Sequence, residues 1–116
     1  MIRGSEGLGA TPGPFAGNAM AASMGPALPM AHWLAAAEQG EADACFSLGV
    51  AFSTGDHGAP CDLVEAHKWF NLAAAHGHEE APAARAEVAE DMSAREIAEA
   101  QRRARAWLAQ QRRHAA

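Results

Sequence analysis

Residues 63 to 78 read LVEAHKWFNLAAAHGH, and three of the chain's six histidines, His67, His76 and His78, lie within that stretch. Imidazoles are the side chains best suited to hold a transition metal or to move a proton near neutral pH. A shared ion would require the rings on one side of a helix. At about 3.6 residues per turn, the step from His67 to His76 turns through about 900°, so the two rings leave opposite sides. His76 and His78 flank Gly77 at an expected helix end, where a cation is mildly favoured by the last carbonyls, and solvated rings are expected there. The chain contains no H-E-x-x-H pair on a helix. Its two cysteines, Cys45 and Cys61, are too few and too far apart for a zinc ribbon or a C-x-x-C redox pair, and are expected as free thiols. Ser47, Ser53 and Ser93 stand in helical or capping contexts rather than in a nucleophile elbow. Gly55-Asp56-His57-Gly58 has the look of a ligand-binding turn, but a loop joining two helices accounts for it. The expectation is a protein with no catalytic residues, no metal and no cofactor, so not an enzyme.

The elements that carry these residues are helical. Residues 1–29 hold six glycines and four prolines, too little apolar surface to offset the ordering cost, and are expected as a flexible arm. A folded unit over 30–113 follows. Its alanine-rich segments are cut at Gly40, at the loop 55–60 and at Gly77, where glycine supplies a left-handed stop. Asp62 with Glu65, and Ser93 with Glu96, have the spacing of capping boxes. Five helices are predicted, at 30–39, 42–54, 62–76, 79–90 and 94–113, and no segment alternates for long enough to make a sheet. The fold class is all-α. Each helix is expected to bury one stripe: Cys45, Leu48 and Phe52; Leu63, Ala66, Phe70, Ala73 and Ala74, with Trp69 at the margin; and Ile97, Ala100, Ala104, Trp107 and Leu108. Trp33, Trp69 and Trp107 are expected in packing. Alanine at so many facing positions allows close helix approach.

Charge is unevenly placed. Residues 31–91 carry eleven acids and two bases, a net −9, whereas 92–116 carry six arginines and two glutamates, a net +4. The whole chain is −5, so nucleic acid is not the expected partner. Arg95, Arg102, Arg105, Arg112 and Arg113 fall mostly opposite the Ile97–Trp107–Leu108 stripe, and Glu99 can pair with Arg102 or Arg103. Glycines and prolines interrupt the first thirty residues, so neither a secretory leader nor a membrane span is evident, and a cytoplasmic location is expected.

The text also repeats itself. His32 to Gly40 (HWLAAAEQG) lies over Trp69 to Gly77 (WFNLAAAHG), and the two glycines are 37 residues apart, a spacing typical of stacked helical repeats. The stretch ADACFSLGVAFSTGDHGAPCDLVEAHKWFNLAAAHG, residues 42–77, resembles the Sel1-like repeat, a relative of the tetratricopeptide repeat. The positions that carry the resemblance are Ala44, Phe46, Leu48, Gly49, Gly55, Gly58, Asp62, Ala66, Trp69, Phe70, Ala73, Ala74 and Gly77. It covers one full repeat, the second half of another before it, and a tail that looks like the helix closing such arrays. The loop between Gly55 and Asp62 is longer by a residue than the common form, and 78–91 lacks a further Leu-Gly pair, which suggests a terminal cap. The disulfide staple of cysteine-rich relatives does not carry over, because Cys61 sits in the loop before Asp62.

The resemblance implies a short right-handed α-solenoid of antiparallel helix hairpins with a capping helix at 94–113. It implies a non-enzymatic protein-interaction module or scaffold with an unidentified protein partner; no membrane association is expected, because no apolar span is evident. The alternative is a binder of nucleic acid or another anionic partner through Arg95, Arg102, Arg105 and Arg112 on the last helix.

Overall fold

The computed structural model describes residues 27–115. Among the described residues there are five α-helices and no strand: α1 (Ala27–Glu38), α2 (Ala42–Thr54), α3 (Leu63–Ala75), α4 (Ala81–Ala89) and α5 (Ala94–Ala115). The arm expected over 1–29 lies outside the described residues as far as residue 26. From Ala27 the chain is already helical, three residues ahead of the expected start at Met30. Pro29 permits this because the first turn has no intrahelical acceptor for its missing N–H. α4 is shorter than the predicted 79–90, with Pro82 at its first turn, and α5 runs two residues further than 113.

Helix ends follow the glycines. The Gly40 N–H donates to the Ala37 carbonyl at 2.9 Å and the Glu41 N–H to Ala36 at 3.2 Å, with Gly40 at φ 82°. Gly77 repeats this pattern 37 residues on: its N–H donates to Ala74 at 3.0 Å, the His78 N–H to Ala73 at 2.9 Å, and its φ is 94°. Both ends are Schellman closures, in which a left-handed residue lets two N–H groups satisfy the last carbonyls. At Gly55 the chain turns so that the Phe52 carbonyl stays open, and the Asp62 N–H donates to it at 2.9 Å, fastening the loop's end to α2.

Both predicted capping residues cap. Asp62 Oδ1 accepts from the Glu65 N–H at 3.1 Å, but the Glu65 side chain does not reach back. At Ser93 the box is complete: its Oγ accepts from the Glu96 N–H at 3.1 Å and the Glu96 carboxylate accepts from the Ser93 N–H at 2.8 Å.

α3 is the centre of the packing. It lies against α2, α4 and α5, while α1 lies against α2. This corrects the expectation of a single stripe with Trp69 at its margin: Ala66, His67, Trp69, Phe70, Leu72 and Ala73 are all buried, because three neighbours cover α3 around most of its circumference. On α2, Ala44, Cys45, Leu48, Gly49 and Ala51 are buried. Gly49 sets the approach of α2 to α3, since a Cβ there would stand 2.5 Å from the Phe70 ring. Phe46 and Phe70 meet with ring centroids 5.3 Å apart. On α5, Ala100 and Ala104 are fully covered and Ile97, Trp107 and Leu108 half-covered, as the stripe predicted.

Candidate functional site

The histidines scatter. His67 is buried on α3, and its Nδ1 has no hydrogen-bond partner. Burial, with the Arg85 charge second, holds its pKa below the ordinary 6.5. His76 is exposed as expected. His78 is half-buried rather than freely solvated: its ring stacks on Phe46 at 4.1 Å with an interplanar angle of 4°, its Nδ1 accepts from the Glu80 N–H at 3.2 Å, and its Nε2 is 3.5 Å from Asp43 Oδ1. His57 adopts a left-handed φ of 58° and meets Trp33 edge-on, with centroids 5.2 Å apart. Among the described residues no three His, Cys, Asp or Glu side chains are grouped to hold a metal ion.

The two thiols are free and differ in setting. Cys45 is fully buried, and desolvation pushes its pKa up to about 11. Cys61 is exposed, with its Sγ 3.7 Å from the Ser53 carbonyl. The hydroxyls serve the backbone: Ser53 Oγ donates to the Val50 carbonyl at 2.9 Å and Ser93 caps α5.

The densest polar arrangement lies between α3 and α5. Glu65 takes the Lys68 ammonium at 3.0 Å on one oxygen and Arg103 Nη1 at 2.7 Å on the other. Arg103 Nε also donates to Glu99 at 2.8 Å, and Arg102 donates to both Glu99 oxygens at 2.9 and 2.6 Å. Hydrogen bonds from Arg102 and then Arg103 draw the Glu99 carboxyl down to about 2, and both guanidiniums are raised in turn. Trp69 and Trp107 meet edge to face at 4.9 Å, and the Lys68 ammonium lies 4.3 Å from the first ring centroid and 5.7 Å from the second. The sequence reading found the Glu99 pairs. It missed Glu65 with Arg103, which are 38 residues apart and share no local spacing, and it read Glu65 as half of a capping box. A second missed bond joins α4 to α3: Arg85 Nη1 donates to Asn71 Oδ1 at 2.6 Å.

The outer face of α5 is where the proposed binding residues lie. Arg95, Arg102, Arg105, Arg112 and Arg113 are all exposed. Arg102 is tied to Glu99, whereas Arg95, Arg105, Arg112 and Arg113 have no ion pair among the described residues. The residues that carry the repeat resemblance divide by role. Ala44, Leu48, Gly49, Ala66, Trp69, Phe70 and Ala73 are buried, Phe46 and Ala74 are half-covered, Asp62 caps α3, and Gly55, Gly58 and Gly77 hold left-handed turns. No described helix is long and apolar enough to cross a membrane. No protein-family model matches the chain, and neither the curated proteins nor the solved structures yield a match.

Proposed function

We propose that the chain is a non-enzymatic protein-interaction module, a short right-handed solenoid of antiparallel Sel1-like hairpins with α5 as its closing helix. The observation that carries this reading is the recurrence of one helix closure at Gly40 and Gly77, followed at the same offset by the buried Ala44 and Ala81 that start the next helix's packing. A fixed period with the same local geometry is what stacked repeats require. Where a further repeat would place Leu-Gly, the chain has Arg85 and Ala86, and α4 buries only Ala81 fully, in keeping with a cap rather than another full repeat. Two unpaired thiols fit a reducing, cytoplasmic setting.

A second reading rests on the exposed arginines of α5, which offer a docking face for an anionic partner. Capture from the native cell, with and without nuclease, followed by titration of the purified partner, separates the two. The first reading predicts a protein that binds saturably and survives nuclease and moderate salt. Binding that vanishes with nuclease would favour nucleic acid instead, and binding that survives nuclease but falls as salt rises would favour an acidic protein on α5.

A further inference from the structure

If the exposed arginines of α5 are a docking face for an anionic partner, as proposed above, their arrangement along the helix defines the kind of partner. At about 100° per residue, Arg95, Arg102 and Arg113 line up within about 20° of one another along α5, and Arg105 and Arg112 form a second row about 80° away. The steps from Arg95 to Arg102 and from Arg105 to Arg112 are seven residues, about 10 Å, and Arg113 follows Arg102 after eleven residues, about 16 Å. Between the rows lie Ala98, exposed, and Ala109, half-covered, so the strip separating the guanidiniums is low and uncharged. Small residues with charges on both sides admit another helix at close range, as the e and g positions of a coiled coil do. We propose that this face docks a helix of a partner protein that carries Asp or Glu at seven-residue spacing on both flanks of a small apolar seam.

Charge selects this occupant over the other polyanions. The body that carries α5 bears a net −9 over residues 31–91 against +4 over 92–116. A helix about 10 Å wide covers only the arginine rows. A duplex or an anionic bilayer is wider, and would bring its phosphates within the ~8 Å over which the acidic body is felt at physiological salt. Guanidinium groups are also the side chains that hold carboxylates with two parallel hydrogen bonds. Arg95, Arg105 and Arg112 are available without breaking an ion pair among the described residues.

The test uses the full chain and a synthetic, helix-stabilised peptide with glutamates at heptad spacing flanking alanines. The controls are a peptide of the same composition in scrambled order, a single-stranded and a double-stranded oligonucleotide, and phosphatidylserine vesicles. The heptad peptide should bind saturably, about tenfold more tightly than the scrambled one, and weaken as salt rises. Arg95→Gln, Arg105→Gln and Arg112→Gln combined should lose about tenfold in affinity with an unchanged helical spectrum. A charge swap offers the sharper readout: Arg105→Glu with Arg112→Glu should lose the glutamate peptide and gain a lysine version of it. Equal affinity for ordered and scrambled peptides, tighter binding to oligonucleotide or vesicles, or no binding to any probe would overturn the proposal. If a captured protein partner binds the wild type and the triple variant equally, the docking face is wrong while the interaction-module reading stands.

Discussion

His67 is the residue whose burial has the clearest measurable consequence. Its pKa in the folded chain lies below the ordinary 6.5, first because burial desolvates the ring and second because Arg85 is nearby. The unfolded chain therefore takes up the proton first as pH falls. Stability from this group is whole above about 6.5 and is lost progressively below it, down to the folded-state value. Urea midpoints at pH 7.5 and 5.5 should differ more for the wild type than for His67→Leu; an equal drop in both would place the acid sensitivity elsewhere. The thiols make a second residue-scale prediction. Cys45 is buried with its pKa pushed up to about 11, so a thiol reagent should modify Cys61 alone in the native protein and both only after denaturation. Rapid native labelling of Cys45 would show that α2 does not pack as described.

At the scale of elements, α5 holds its place by two means. Ala100 and Ala104 are buried and Trp107 meets Trp69 edge to face, while Arg103 is bonded to Glu65 on α3. Truncation after Asp91 should lower the thermal midpoint or cause aggregation on size-exclusion chromatography, because it uncovers α3. Trp107→Ala should cost about 3 kcal/mol in denaturant unfolding. A truncated chain as stable and monodisperse as the full one would remove α5 from the core. The helices themselves were legible: α2 was read with both bounds correct, and the closing glycines and both capping residues fell where their spacing put them. What local pattern could not supply was the number of neighbours. A helical stripe assumes one buried side, whereas α3 meets three partners, which is why His67 and Trp69 are buried and why Glu65 serves Arg103 rather than its own cap. His78 escaped for a similar reason, since its stacking on Phe46 joins two stretches of chain that lie 32 residues apart.

For the whole molecule, the division of charge between an acidic body and a basic closing helix was already present in the sequence, and the structure leaves Arg95, Arg102, Arg105, Arg112 and Arg113 exposed while Arg103 reaches Glu65 on α3. The same turn closes a helix at Gly40 and at Gly77, 37 residues apart; the proposed function requires that this period be a unit that stacks on its neighbours. The most direct measurement is to insert a second copy of residues 41–77 directly after Gly77 and follow helicity and thermal unfolding. In a stack of repeats stability is approximately a sum of unit and nearest-neighbour contributions. The lengthened chain should therefore keep the association state of the parent chain, keep at least the same helical signal per residue and unfold at the same or a higher temperature. Loss of helicity, aggregation or a markedly lower midpoint would mean that α1 to α5 form one closed core with no place for another unit, and would contradict the repeat.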